Sequence, residues 1–163
     1  MLLSREKNFI FVKGKKVAGT SIEVHLAPQL EEGAIVTPIE RVGPSTHRPC
    51  NYEVGSQVFS NHMTARKIAA FIGEEQFKTM HSWGIVRHPV EKVLSFYFMQ
   101  VGRNLLGYTL DDAILAFPSE ASRYCDSEGR NMLTTVLRYE ELSVALPDFL
   151  AKFGLSADGF DSV

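Results

Sequence analysis

The chain has 163 residues, 45% of them apolar, and a formal net charge of −2 at neutral pH. That length supports one hydrophobic core rather than two, and the charge excludes bulk attraction to nucleic acid or to an anionic membrane, so an anion-binding role would need a local positive cluster. Charges interrupt the opening MLLSREKNFIFV before a signal-peptide core can form, no run approaches the roughly 18 to 20 apolar residues of a membrane span, and Cys50 and Cys125 lack the C-x-x-C spacing of a zinc or redox site. The expectation is one cytoplasmic domain, residues 1–163.

In chain order, Phe9–Val12 is a short apolar run that ends at the turn GKKVAGTS. A helix-compatible stretch, Ser21–Ala27, follows and Pro28 closes it, so the order is strand, tight loop, helix. Gly33–Ile39 and Gln57–Phe59 predict further strands, separated by the Gly-, Pro- and Ser-containing loop RVGPSTHRPCN. Ala65, Ile68, Ala69 and Ile72 recur at the spacing of an amphipathic helix that Gly73 stops. SWGIV reads as a strand ending at Arg87; Pro89 suits the first turn of the next helix, whose apolar face comprises Val90, Val93, Leu94, Tyr97 and Phe98. Thr109-x-x-Asp112 is a capping-box variant ahead of a short helix ending near Pro118. Thr134–Leu137 predicts a late buried strand, and Leu142–Phe153 a last helix with Pro147 inside it. Alternating strands and helices without an Asn-Gly hairpin signal predict a three-layer α/β fold: a parallel sheet with helices on both faces.

Ligands of such sheets bind beyond the carboxyl ends of the strands, which directs attention to the loops after Val12 and Val86. Gly14-Lys15-Lys16-Val17-Ala18-Gly19-Thr20-Ser21 has the G-x-x-x-x-G frame of a phosphate-binding loop, in which backbone N–H groups and a helix N-terminus face the anion. It departs from G-x-x-x-x-G-K-[S/T] at Thr20, with the lysines moved forward to Lys15 and Lys16. The strand end that would carry a Mg²⁺-binding carboxylate in a nucleoside-triphosphate enzyme carries Arg87 instead. Taken alone, the Gly-Lys-Lys turn reads more readily as a solvated turn before a helix, and it is the second motif that reverses this. In the second loop Arg87 and Ser95 are suited to a phosphate near the helix start, by a charge-assisted bond and a hydroxyl; the competing reading has Arg87 capping a carboxylate and Ser95 as a small packing residue.

Together these segments resemble the PAPS-dependent sulfotransferases, especially carbohydrate sulfotransferases and their bacterial relatives. FIFVKGKKVAGTSIE is similar to that family's 5′-phosphosulfate loop at Lys16, Ala18, Gly19, Thr20 and Ser21, and GIVRHPVEKVLSFYF to its 3′-phosphate motif at Arg87, Pro89, Ser95 and Tyr97. VLRYEEL, Val136–Leu142, resembles a weaker third segment. The resemblance implies a P-loop-like fold and a donor site for 3′-phosphoadenosine 5′-phosphosulfate (PAPS; product 3′,5′-diphosphoadenosine) at Lys15, Lys16, Ala18, Gly19, Thr20, Ser21, Arg87 and Ser95. It further implies that Lys16 reaches the bridging oxygen. Lys13-Gly14-Lys15 departs from the family's His-Ile-Pro, and Lys92 stands where a second arginine is usual, keeping charge without the bidentate fork. Relatives continue past the position of Val163, so the chain is either a compact member or one lacking further C-terminal helices.

The implied activity is metal-independent, in-line transfer of the PAPS sulfonate to a hydroxyl of a small molecule or glycan. Acceptor contacts are expected from loops such as Val42–Ser56. A PAPS-binding module without turnover and a P-loop kinase are the competing readings. His62 is the candidate general base: it precedes the helix near Thr64, an imidazole is largely unprotonated at neutral pH, and relatives carry a His-x-x-Ala segment matched by His62 and Ala65. His25 reads as packing, His47 with Cys50 is too few ligands for zinc, and His81 and His88 flank a strand with a lesser claim to the nucleotide. Trp83, Phe96, Tyr97 and Phe98 read mainly as core. Nucleic-acid binding is a poor reading of the N-terminal lysines, which lack interleaved aromatics.

Overall fold

The computed structural model describes residues 1–37, 39–41, 47–49, 52–54, 56–103, 107–117 and 119–160. β1 (Leu2–Ser4) and β2 (Phe9–Phe11) form a hairpin whose turn is closed by Asn8 at φ 54°, a left-handed conformation that asparagine tolerates better than most residues. α1 (Gly19–Leu26) follows, and a 3₁₀ turn at Ala27–Gln29 carries Pro28. β3 (Ile35–Val36) pairs antiparallel with β1.

Two small ribbons come next: β4 (Ile39–Arg41) with β5 (His47–Pro49), and β6 (Tyr52–Val54) with β7 (Gln57–Phe59). α2 (Ala65–Ile72) is capped by the Thr64 hydroxyl, which accepts from the Lys67 N–H, and stops at Gly73, φ 96°. α3 (Glu74–Thr79) leads into β8 (His81–Val86). Then follow α4 (Pro89–Val101), α5 (Leu110–Ala116) with its Thr109–Asp112 capping box closed on both sides, and α6 (Ala121–Tyr124). β9 (Thr135–Arg138) and α7 (Leu142–Ala151) complete the order.

The main sheet runs β3-β1-β2-β8-β9. β2, β8 and β9 are mutually parallel, whereas β1 is antiparallel to both of its neighbours. The expected all-parallel sheet is therefore corrected to a mixed one. The hairpin escaped notice because its turn, Arg5–Asn8, lacks glycine and takes its left-handed residue from Asn8. Two further expectations change. Gly33–Ile39 divides between the main sheet and a ribbon, and Gln57–Phe59 pairs with β6 rather than joining the sheet.

Strand alternation sends side chains to two cores, as a period of two requires. Phe9, Phe11, Trp83 and Ile85 pack under Ile22 and Leu26 of α1 and Leu146, Phe149 and Leu150 of α7. Leu3, Ile10 and Val12 meet Ala65, Ile68 and Ala69 of α2, Phe77 of α3 and Tyr124 of α6 on the opposite side. Helices thus cover both faces. Gly84 is the place on β8 where Tyr124 comes closest: a Cβ there would stand 2.9 Å from its ring and from Leu133.

α4 departs from its amphipathic reading. Val90 and Phe98 are 59% and 65% exposed, and its buried residue is Lys92. Periodicity located a stripe but could not say what covers it. Among the described residues no helix is long and apolar enough to cross a membrane. Cys50 and most of the loop expected to contact an acceptor lie outside the described residues.

Trp83 is 1% exposed and its ring centroid lies 4.4 Å from Phe11 and 4.9 Å from Phe149. It joins β2, β8 and α7, so Trp83→Ala should cost about 3–5 kcal/mol of unfolding free energy in urea titration. A loss under about 1.5 kcal/mol would show that the site collapses around the deletion.

Candidate functional site

The three parallel strands end at one place. β2 runs into the loop from Lys13, β8 into Arg87, and β9 into Tyr139, and residues from all three exits line a cleft of ≈ 890 Å³. Its floor is laid by one buried ion pair. Lys13, 2% exposed, places its ammonium 2.5 Å from a carboxylate oxygen of fully buried Glu23 on α1 and donates to Asn61 Oδ1 at 2.7 Å. The other Glu23 oxygen receives the Met1 ammonium and the Thr37 hydroxyl, at 2.8 Å from the latter. Burial holds Lys13 below the ordinary lysine range, with Glu23 opposing that shift.

The frame glycines serve this pairing. A Cβ on Gly19 would lie 2.6 Å from Lys13 Cγ, and one on Gly14 would lie 2.7 Å from the Tyr124 hydroxyl and 2.9 Å from Glu120 Oε2. Neither glycine has positive φ; that conformation falls to Lys16, φ 61°, and Ala18, φ 57°. A non-glycine residue held there costs on the order of 1 kcal/mol, strain that clusters at ligand-binding loops. Glycine's role in this loop is thus close approach, and the left-handed residues are its neighbours Lys16 and Ala18.

The loop delivers the chain into α1 with an open start. Ala18 gives no side-chain cap, and the first intrahelical bond is Ile22 N–H to the Ala18 carbonyl at 3.0 Å. The amides of Gly19, Thr20 and Ser21 precede it and face the cleft end of the helix, where the dipole is positive. Burial, then the Arg103 and Arg87 charges, hold the Lys16 ammonium below its usual range. Lys15 lines the same wall.

Across the cleft, Arg87 reaches Glu91 at 3.2 Å, donates to the Lys16 carbonyl at 3.4 Å, and lies 4.1 Å over the Tyr139 ring. Its Nε is buried without a hydrogen-bond partner. Ser95 lies two turns along α4 in the same wall. Lys92 does not: its ammonium is turned to the Glu120 carboxylate and sits 5.0 Å over Phe117. The position that resembles a second phosphate arginine is therefore spent on anchoring α4 to the start of α6.

His62 lines the cleft as well, although not for the expected reason, since the strand before it belongs to a ribbon rather than to the main sheet. Arg123 fixes its backbone by donating to the His62 carbonyl at 2.7 Å, and its Nδ1 lies 3.4 Å from the Lys13 carbonyl. A carbonyl only accepts, so Nδ1 carries the proton and Nε2 keeps its lone pair. Burial first, then the Lys13 charge, push the imidazole down to about 4.

The structure thus gathers Lys15, Lys16, Ala18, Gly19, Thr20, Ser21, His62, Arg87 and Ser95 around one cleft. It also adds Asn61, Gln100, Arg103 and Tyr139, which sequence reasoning missed. Phe96, Met99, Gln100 and Arg103 follow the i, i+3, i+4, i+7 spacing of one helix face, a signal hidden by attention to the apolar stripe beside it. Lys13, Lys15, Lys16, Arg87 and Arg103 make the lining cationic, and no Asp or Glu joins it among the described residues. His25 and His81 make side-chain contacts elsewhere, and His88 is held through its backbone. His25 bonds the Ser156 carbonyl at 2.8 Å; His81 bonds the Thr135 hydroxyl at 2.9 Å and packs against Phe149 and Phe153; the His88 N–H donates to Glu140 at 2.6 Å.

No protein-family model, curated protein or solved structure matches the chain.

The His62 shift has a consequence for stability. Its folded value of about 4 lies below the unfolded value of 6.5, so between these limits the unfolded chain binds the extra proton. The His62 contribution is therefore complete above pH 6.5 and is lost as pH falls towards 4. Urea unfolding of His62→Gln should show a shallower decline across that window than the wild type. Parallel declines would mean that His62 is as hydrated folded as unfolded.

Proposed function

We propose that the cleft binds PAPS and that the protein transfers its sulfonate to an acceptor hydroxyl. The observation that carries this reading is the meeting, in one cleft, of a cationic strand-to-helix loop and a second positive group, Arg87 with Ser95, on the next parallel strand exit. Two anion-binding elements, the loop with Lys16 and Arg87 with Ser95, suit a nucleotide carrying two phosphate groups better than a mononucleotide. The cleft's ≈ 890 Å³ falls within the roughly 300–1,000 Å³ of cofactor sites. Its lack of a described carboxylate weighs against the kinase reading, which needs a ligand for Mg²⁺.

In this scheme the amides of Gly19, Thr20 and Ser21 hold the 5′-phosphate, and Lys16 places its ammonium on the oxygen that gains charge as the phosphate–sulfonate bond breaks. Arg87, with an N–H still unsatisfied, and Ser95 hold the 3′-phosphate. His62 Nε2 accepts the proton of the acceptor hydroxyl as the new S–O bond forms. Burial, with the Lys13 charge second, favours the neutral imidazole at pH 7, and an anion bound beside Lys13 and Lys15 would offset the charge contribution to that shift while leaving the contribution of burial.

Two experiments test the assignment. 3′,5′-Diphosphoadenosine should bind at least about tenfold tighter than AMP, a ratio needing only ~1.4 kcal/mol, and Arg87→Ala should abolish the difference while leaving AMP binding nearly unchanged. Equal affinities for the two nucleotides in the wild type would remove the 3′-phosphate site. In a turnover assay, Lys16→Ala and His62→Ala should each lower the rate about a hundredfold or more with nucleotide affinity nearly intact. Lys15→Ala is the control, and greater damage there would move the leaving-group contact by one residue. Nucleotide binding without turnover on a broad panel of alcohols would identify a binding module instead.

A further inference from the structure

Among the described residues Arg103, like Lys15 and Lys16, is a cleft cation with no carboxylate within ion-pair distance, and it is the one to which the donor scheme gives no role. Lys13 is neutralised by Glu23, Arg87 is paired with Glu91, and Lys92 outside the cleft is paired with Glu120. Arg103 is exposed, and no described carboxylate lies within ion-pair distance of it. It stands just past α4, whose last residue, Val101, is six residues beyond Ser95, about 9 Å along the helix axis at 1.5 Å per residue. It is therefore remote from the end of α4 that receives the 3′-phosphate. It is nevertheless near Lys16, whose proton affinity it lowers more than Arg87 does. Its place is the solvent side of the reacting end, where an acceptor must enter.

The same helix face supplies its neighbours. Phe96, Met99 and Gln100 line the cleft with Arg103, giving an apolar platform, an amide and a guanidinium fork in sequence along one wall. Phe96 is braced edge-on by Phe117, with ring centroids 5.0 Å apart, and so is held as a fixed surface. A planar fork at the end of an apolar platform suits a ring whose far substituent is a carboxylate. Keeping Arg103 beside Lys16 without a counter-charge costs repulsion that a bound anion would relieve.

We infer that Arg103 recognises a carboxylate on the acceptor, so that the substrates are anionic, ring-bearing hydroxyl compounds whose apolar face lies on Phe96 and Met99. This rests on the donor-site reading above. The test uses the protein saturated with 3′,5′-diphosphoadenosine and a matched pair of probes, 4-nitrophenyl β-glucuronide and 4-nitrophenyl β-glucoside, titrated by NMR. The glucuronide should bind at least about fivefold tighter, as one charge-assisted contact allows. Arg103→Gln should bring that ratio to about one while changing nucleotide affinity less than about twofold. Equal or absent binding of the two probes by wild type would overturn the assignment. So would a loss of nucleotide affinity in Arg103→Gln as large as that in Arg87→Ala, which would place Arg103 in the donor site. If 3′,5′-diphosphoadenosine itself does not bind, the donor reading fails, and this inference falls with it.

Discussion

The cleft depends on a lysine and a glutamate that meet 2.5 Å apart with almost no access to water. Lys13 is the second residue past β2 and Glu23 lies one turn inside α1, so their pairing fixes how the strand hands over to the helix. Bringing two charges into a core is costly, and such a pair is tolerated only when its geometry and its other hydrogen bonds are good. Here Asn61, Thr37 and the Met1 ammonium supply those bonds. The lysine stem passes directly beneath Gly19, which is why that position cannot carry a side chain. Lys16 and Ala18 are then forced into left-handed backbone, and the first amides of α1 are left uncapped at the cleft.

A net charge of −2 conceals this arrangement. Five of the chain's 17 basic residues line one cleft that no described carboxylate enters. Glu23 offsets Lys13 and Glu91 partly offsets Arg87, which leaves Lys15, Lys16 and Arg103 to set most of the field of a partly enclosed space, a field that favours anions. The same field acts on the protein's own groups: it combines with burial to hold Lys16 and His62 below their usual proton affinities.

Much of this was legible in the sequence where local chemistry decides the outcome. Pro89 at the start of α4, Thr64 and Gly73 at the ends of α2, and the Thr109–Asp112 box all act within a turn of themselves, so their spacing is sufficient evidence. The loop and Arg87 were legible because strand exits are where parallel sheets place ligands. What escaped depends on partners far away in sequence. The β1–β2 hairpin turns on the backbone of Asn8, and the direction of β1 follows from it. Lys92 looked like a phosphate ligand until Glu120, 28 residues later, claimed it. Lys13 looked like one more basic residue of the loop, although its charge is consumed beneath it. Arg103 and Gln100 were visible as a helical spacing and were passed over for the apolar stripe alongside. The apolar spacing marks the buried face of α2 but not that of α4, where Val90 and Phe98 are left in water.

The most direct measurement is a crystal structure of the protein with 3′,5′-diphosphoadenosine bound. The 5′-phosphate should lie against the amides of Gly19, Thr20 and Ser21 with Lys16 in contact, and the 3′-phosphate against Arg87 and Ser95. A nucleotide lodged elsewhere, or held in the cleft with its 3′-phosphate free of Arg87, would contradict the donor site.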